Sequence, residues 1–331
     1  MDINSHLSTL FNNADVTQLQ QLQSLWSGYG SIKRYRIDGN SPASVIVKSI
    51  QVPDTQQHPR GWNTQLSNQR KLRSYEVECH WYQHWASICD SSCSVPHCYG
   101  VLNLSSSHQC IVLEDLDLAG FPSRHTQLSA QQCLPCLSWL ANFHAAFVRP
   151  NDDPNWTKSL WPQGCYWHLE TRPDEWQAMA DSPLKQAAQQ LDLALQHTRY
   201  TTLVHGDAKV ANFCFSEDSK QVAAVDFQYV GAGCGMKDVI YFLGSCLSEE
   251  DCHQHHQELL DLYFSEFRAS LARRNNSLNA QDIESEWRRL YPLAWADFQR
   301  FILGWSPSHK KNTEFARQIT QQALDQLAAS V

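Results

Sequence analysis

Chemistry-bearing side chains concentrate in one stretch, Leu203-Val204-His205-Gly206-Asp207-Ala208-Lys209-Val210-Ala211-Asn212-Phe213-Cys214-Phe215. It continues through a polar turn at 216–220 into Val222-Ala223-Ala224-Val225-Asp226-Phe227-Gln228. The pattern reads as a strand end, a polar loop, a hairpin whose second strand is apolar, and an acid at the exit of that strand. Asp207 and Asn212 lie five positions apart on the loop, and the hairpin returns Asp226 towards both. Two carboxylates and one amide around a point suit phosphoryl transfer. One carboxylate orients and deprotonates a hydroxyl, while the amide oxygen and the second carboxylate hold Mg²⁺ against nucleotide phosphates. Asp207 and Asn212 alone would be turn residues in most sequences. The signal is their order together with the hairpin and the second acid.

The flanking sequence predicts the elements that must position these groups. Over 16–26, Leu19, Leu22, Leu25 and Trp26 fall at helical spacing, which predicts a helix stopped by Ser27-Gly28-Tyr29-Gly30-Ser31. Two strands follow, 32–37 and 43–50, joined by the hairpin signal Asp38-Gly39-Asn40. The second contains Ser44-Val45-Ile46-Val47-Lys48, β-branched residues leading to a lysine. A polar loop over 53–68 precedes a long helix over 69–88, where Leu72, Tyr75, Cys79, Tyr82 and Ala86 share one face. Strands are predicted at 95–104 and 109–113, with Ser105-Ser106-Ser107 between them. Beyond residue 129, helical patterns dominate, at 129–147, 175–196, 237–246, 249–274, 281–303 and 312–329. The expectation is an α+β chain, with a small antiparallel sheet and one helix over 1–116 and a larger, mainly helical part over 117–331. Leu113-Glu114-Asp115-Leu116 is the hinge between them.

Composition narrows the partners. With 331 residues, 26 Lys plus Arg, 34 Asp plus Glu and 11% aromatics, the chain is too aromatic and too weakly charged for disorder. Its net charge of -8 provides no basic field for nucleic acid or an anionic membrane. Residues 1–13 lack a positive start followed by an apolar run, and no stretch approaches a membrane span, so a cytoplasmic protein is expected. The 12 cysteines read as reduced thiols used mostly as small apolar fillers. Neither Cys89, Cys93, His97 and Cys98 nor Cys252, His253, His255 and His256 has convincing zinc spacing, and Cys133-Leu-Pro-Cys136 lacks the strand that feeds a redox motif.

The H-x-D-x4-N pattern followed by an acid-Phe-x triplet resembles the kinase-like small-molecule phosphotransferases, which include aminoglycoside phosphotransferases and choline kinases. It is most similar to the ecdysteroid kinase-like branch, through Leu113-Glu114-Asp115-Leu116 and Asp226-Phe227-Gln228. The resemblance runs from about residue 26 to residue 247. It implies a two-lobed protein-kinase-like fold with ATP in the cleft, and transfer of the γ-phosphate to a choline-like, aminoglycoside-like or sterol-like alcohol. By position, Asp207 is the implied base, Asn212 and Asp226 the Mg²⁺ ligands, and Lys48 the contact to the α and β phosphates. A helical glutamate orients that lysine. Glu78 lies about 70° from the centre of the apolar face and Glu76 about 90° on the other side, which favours Glu78 slightly. Gly28, Gly30 and Ser31 fall at the phosphate-covering turn, Glu114 and Leu116 at the nucleotide hinge, and Asp238 at an acid that braces the catalytic loop. An alternative for Asp238 is a plain first-turn acid on a helix dipole.

Lys209 and Gln228 depart from the broader pattern: the first could neutralise γ-phosphate charge, and the second argues against a flipping triplet. Gly206 in place of an arginine, and only eleven residues between Asp226 and Asp238, weigh against a protein substrate. The expected partner is a small-molecule alcohol, taken by a monomer or homodimer. A catalytically inactive binding or scaffold protein on the same fold is the alternative. Residues 151–176 carry Trp156, Trp161, Tyr166, Trp167 and Trp176 with Glu170, Asp174 and Glu175. They could enclose a quaternary ammonium, pack on a flat polycyclic alcohol, or simply anchor a long loop.

Overall fold

A computed structural model describes residues 2–25, 28–39, 42–51, 65–105 and 107–329. Trp26, Ser27, Asn40, Ser106 and most of the loop expected over 53–68 lie outside the described residues.

The chain opens with α1 (Ile3–Leu10), which the sequence reading did not anticipate, capped by the Asp2 carboxylate accepting from the Ser5 N–H. Next come β1 (Val16–Ser24), β2 (Gly30–Ile37) and β3 (Ser44–Gln51), followed by α2 (Gln65–His84), β4 (Cys98–Ser105) and β5 (His108–Glu114). The five strands form one antiparallel sheet in the order β1-β2-β3-β5-β4. Alternation along β3 sorts its side chains between two faces. Val45 and Val47 face outward with Tyr35, Cys110 and Val112, beneath Leu7 of α1 and Phe11 just past its end. Ile46, Lys48 and Ile50 point the other way, where α2 lies.

The helix expected over 16–26 is strand β1. Its pairing with β2 shifts register between Gln18 and Gln20 and again between Gln21 and Gln23. The skipped residues are Leu19 and Leu22, two bulges three apart, and both side chains are exposed. Regularly spaced bulges thus reproduced the i, i+3 spacing of an amphipathic helix.

The rest is mainly helical. α3 (Leu134–Phe147) runs through the core and leads to β6 (Arg149–Pro150). The single helix expected over 175–196 is three pieces, α4 (Pro173–Ala178), α5 (Pro183–Gln186) and α6 (Ala188–Gln196). Met179 is extended, Ser182 caps the second piece by accepting from the Lys185 N–H, and Pro183 cannot continue a helix arriving from before it. Then follow β7 (Tyr200–Val204), β8 (Phe213–Phe215), β9 (Val222–Ala224), β10 (Gly231–Gly233), α7 (Met236–Cys246), α8 (Glu249–Arg273), α9 (Ala280–Trp305) and α10 (Glu314–Ala328). β8 and β9 are the predicted hairpin, while β10 pairs with β7.

One apolar core crosses residue 116: Trp81 of α2 stacks on Phe227 at 4.5 Å between ring centroids, and Phe227 also contacts Trp139 and Phe143 of α3. Truncating an aromatic so enclosed costs about 3–5 kcal/mol, so the mutual position of sheet and helices is strongly specified by these rings. All twelve cysteines are free thiols and ten are buried, which fits their use as fillers. Among the described residues, no helix is long and apolar enough to cross a membrane.

Candidate active site

β7 delivers the chain into 205–212, and the hairpin β8–β9 folds back so that the Val225 N–H donates to the Asn212 carbonyl at 2.9 Å. That bond sets Asp226 beside the loop. The loop is braced from below by Asp238 in the first turn of α7. Its carboxylate accepts from the His205 N–H at 2.6 Å and the Gly206 N–H at 2.9 Å, and lies 3.1 Å from His144 Nε2. With two buried backbone donors satisfied, the bracing role describes Asp238 better than a dipole role. Gly206 has φ +79°, and a Cβ there would sit 2.1 Å from the Tyr229 carbonyl oxygen. Glycine is therefore required by both conformation and space.

Asp207 is nearly buried, and its Oδ2 accepts from Lys209 Nζ at 2.8 Å and Asn212 Nδ2 at 3.1 Å. Asn212 Nδ2 also donates to the Asp207 carbonyl at 2.8 Å. With the amide nitrogen engaged, the amide oxygen remains for a cation. Asp226 has φ +70° and accepts from Lys48 Nζ at 2.9 Å and Gln228 Nε2 at 2.6 Å. Lys48 also pairs with Glu78 at 2.6 Å, both side chains almost fully buried. Glu76 pairs instead with Arg73 at 3.2 Å and is exposed, which resolves the two-glutamate alternative in favour of Glu78.

Burial opposes charge on Lys48, on Glu78 and on the partly exposed Asp226, and their mutual attraction decides the outcome. It would discharge Lys48, but Asp226 and Glu78 outweigh it and hold the ammonium above the ordinary lysine range. It would raise Asp226, but Lys48 and Lys209 hold that carboxylate well below the usual range. Glu78 is pushed up by burial to about 6 against the pull of Lys48.

The second acid's triplet is pinned. Phe227 is fully buried between Trp81 and His205, each 4.5 Å away by ring centroid. Gln228 holds Asp226 with its amide nitrogen while its oxygen accepts from Lys71 Nζ at 2.8 Å and Ser74 Oγ at 3.2 Å, both on α2. Lys71 was missed in the sequence, although it lies seven residues before Glu78, on the same face of an ideal helix. Burial lowers its pKa to about 8.

Gly28 lies in the turn between β1 and β2, and Gly30 and Ser31 open β2. The Leu25 N–H donates to the Gly30 carbonyl at 2.8 Å, and a Cβ on Gly30 would lie 1.9 Å from the Ser49 carbonyl oxygen. At Gly28, φ is +78° with open space beyond. In the hinge, Glu114 accepts from the His97 N–H at 3.2 Å, and Leu116 is buried with its carbonyl accepting from the Phe121 N–H. Between them, buried Asp115 accepts from Arg34 Nε at 2.7 Å and Ser44 Oγ at 2.5 Å, tying the hinge to β2 and β3. That clamp also went unread.

The donor set fits a magnesium nucleotide. Asp226 and the Asn212 amide offer two hard oxygens, and the remainder of an octahedral sphere is normally phosphate and water. Among the described residues, no group of three or more His, Cys, Asp or Glu could hold a metal by itself. Such an ion would thus depend on the nucleotide for its other ligands.

The aromatic segment over 151–176 divides. Trp156 packs edge-on to Trp85, Trp167 is fully buried, and Trp176 Nε1 donates to the Lys185 carbonyl. These three are anchors. Trp161 Nε1 donates to the Gln228 carbonyl at 2.8 Å, and the Tyr166 hydroxyl donates to that of Tyr241 at 3.2 Å. The Tyr241 hydroxyl in turn interacts with Asp207, so Trp161 and Tyr166 border the site.

Among solved structures, a candidate aminoglycoside phosphotransferase from Ralstonia eutropha aligns over 98% of this chain and 94% of its own, at 12% identity with a TM-score of 0.51. A microcompartment-associated aminopropanol kinase aligns over 98% and 94% at 14% identity, with a TM-score of 0.49. The aminoglycoside phosphotransferase APH(3'')-Id of Streptomyces rimosus, in complex with ADP and streptomycin, aligns over 89% and 99% at 14% identity, with a TM-score of 0.45. At these identities the likeness shows the fold, and the first carries that conclusion. No curated protein sequence matches the chain. The family model for ecdysteroid kinase-like proteins matches residues 44–191 and 163–276, which include Lys48, residues 113–116, the 205–212 loop and Asp226. The chain belongs to the ecdysteroid kinase-like family, on the two-lobed fold of the kinase-like phosphotransferases.

Proposed function

We propose that the protein transfers the γ-phosphoryl group of ATP, with Mg²⁺, to a hydroxyl of a small molecule. The observation that carries this reading is one polar cluster with every required charge intact: the Lys48–Glu78 pair, Asp226 against Lys48, and Asp207 held by Lys209 and Asn212. In this reading 1–116 is the nucleotide lobe and 117–331 the catalytic and acceptor lobe. Asp207 orients the acceptor hydroxyl and receives its proton. Lys48 neutralises the α and β phosphates, and Glu78 keeps it in place. Lys209 offsets γ-phosphate charge beside the base. Asn212 and Asp226 would hold the magnesium, which when bound would neutralise charge on the phosphate oxygens. Gly28, Gly30 and Ser31 would cover the phosphates, and Glu114 and Leu116 would border the base. A protein substrate is disfavoured because β10, pairing with β7, leaves no long platform between Asp226 and Asp238.

The test is turnover of Mg-ATP by the purified protein against a library of alcohols, choline-like, aminoglycoside-like and sterol-like members included. Tight nucleotide binding with no transfer to any acceptor, water included, would favour the scaffold alternative.

Lys71 gives a separate prediction. Free, with its pKa near 8, it is about half protonated at pH 8. Beside nucleotide phosphates it stays charged, so Mg-ATP binding at pH 8 takes up about half a proton. At pH 6.5 the Lys71 share of this uptake, read as the difference from Lys71→Met, should vanish, because the amine is charged in both states. Calorimetry in buffers of differing ionisation enthalpy reads this directly. Lys71→Met should remove most of the uptake and weaken binding about tenfold.

A further inference from the structure

The connection between α9 and α10 brings Lys311 over the Tyr241 ring at 4.6 Å and the Phe298 ring at 5.1 Å. Because the Tyr241 hydroxyl interacts with the Asp207 carboxylate, Lys311 stands one tyrosine away from the base. Its ammonium has no hydrogen bond and no carboxylate within 4.0 Å among the described residues. Burial lowers its pKa to about 8, with Asp207 the foremost charge acting against that fall. A half-buried ammonium that rests on two rings without a carboxylate partner has donors left for something negative to meet.

The surroundings sharpen this. Lys310 and Lys311 line a cavity of about 410 Å³ together with Ser245, Phe298 and Trp295. Ser245 accepts the Val210 N–H at 2.8 Å, so the cavity abuts the catalytic loop. Its volume is that of a small-molecule site. Among the described residues, the one carboxylate lining it, Glu249, is engaged by the Phe315 N–H at 3.1 Å.

Two aromatic pairs near the site already carry the protein's own cations, while Trp161, stacked on Tyr229, has none over it among the described residues. Lys311 covers Tyr241 and Phe298, and Arg172 covers Tyr166 and Phe301 at 5.5 and 5.4 Å. Of the segment's acids, Glu175 is paired with Arg172, and Glu170 and Asp174 are exposed. At those two pairs a cationic acceptor would meet like charge, and Lys311 stands nearest the cavity.

We propose that the acceptor is an anionic alcohol, with its hydroxyl at Asp207 and its carboxylate, sulfate or phosphate at Lys311 in the adjoining cavity. This rests on the phosphotransferase reading above and narrows it. The acceptor oxygen bonds to the γ-phosphorus, the bond from that phosphorus to the β,γ-bridging oxygen breaks, ADP leaves, and the hydroxyl proton passes to Asp207. Lys311 takes no part in those bonds; it fixes the acceptor's far end.

Three probes of matched shape test it on the full-length protein saturated with Mg-ADP: 4-(hydroxymethyl)benzoate, benzyl alcohol and 4-(aminomethyl)benzyl alcohol, followed by ligand-observed NMR. The benzoate is expected to bind at least about tenfold more tightly than either of the others. Lys311→Gln should erase that preference and Lys311→Arg should keep it. Equal binding of the three, tighter binding of the amine, no binding by any of them, or an undiminished preference in Lys311→Gln would each overturn the proposal. If either variant misfolds, the wild-type ranking still decides. Mg-ATP binding to the wild type is measured alongside. If it is present without the anionic preference, only this inference fails; if it is absent, the phosphotransferase reading fails first.

Discussion

Asp207→Asn is expected to lower kcat by roughly 10²- to 10⁴-fold while changing Mg-ATP affinity little. The amide keeps the shape of the carboxylate and can still accept from Lys209 Nζ, now 2.8 Å away, so the loop should remain in place. What it cannot do is receive the proton of the acceptor hydroxyl. Because Asp207 lies apart from the Lys48–Asp226 contact, the nucleotide side should be spared. The loss should thus appear in kcat measured at saturating nucleotide, by coupled ADP release with a true acceptor. Retention of full turnover would remove Asp207 from the role of base. A loss confined to nucleotide affinity would place it on the wrong substrate.

The parts of this site that were legible in the sequence are those carried by short, contiguous patterns. Asp207, Asn212 and Asp226 announced themselves because loop, hairpin and exit acid follow each other within one stretch, and the backbone bond from Val225 to Asn212 closes that stretch on itself. Lys48 was visible as the polar end of a β-branched run, and Glu78 through helical periodicity, though only packing could separate it from Glu76. Other features depended on what the chain meets in three dimensions. β1 was misread because two bulges set Leu19 and Leu22 three apart, a spacing that in isolation belongs to a helix. The Arg34–Asp115 clamp joins residues 81 positions apart, and Lys311 lies over Tyr241, which interacts with Asp207, from a connection near the other end of the chain. No local pattern encodes such meetings. Lys71 is intermediate: its seven-residue offset from Glu78 was readable, but its partner Gln228 lies 157 positions away in sequence.

Gln228 also explains why the second acid can be tested cleanly. Asp226 adopts φ +70°, a conformation that asparagine accepts as readily as aspartate. Its position is held by Lys48 from one side and by Gln228, itself fastened to α2, from another. Asp226→Asn should therefore fold, with Glu78 still holding Lys48. What is lost is the charge, which Lys48 and Lys209 keep ionised despite burial and which a hard cation needs. Mg-ATP affinity is expected to fall at least about 100-fold, about 2.7 kcal/mol. Metal-free ATP should bind as well as before or better, because one carboxylate no longer repels the phosphates. The magnesium dependence itself is then the readout: titrating ATP with and without Mg²⁺ should show strong enhancement in the wild type and almost none in the variant. Full enhancement in Asp226→Asn would mean that the metal is held elsewhere, and Asp226 would be left with only its pairing to Lys48.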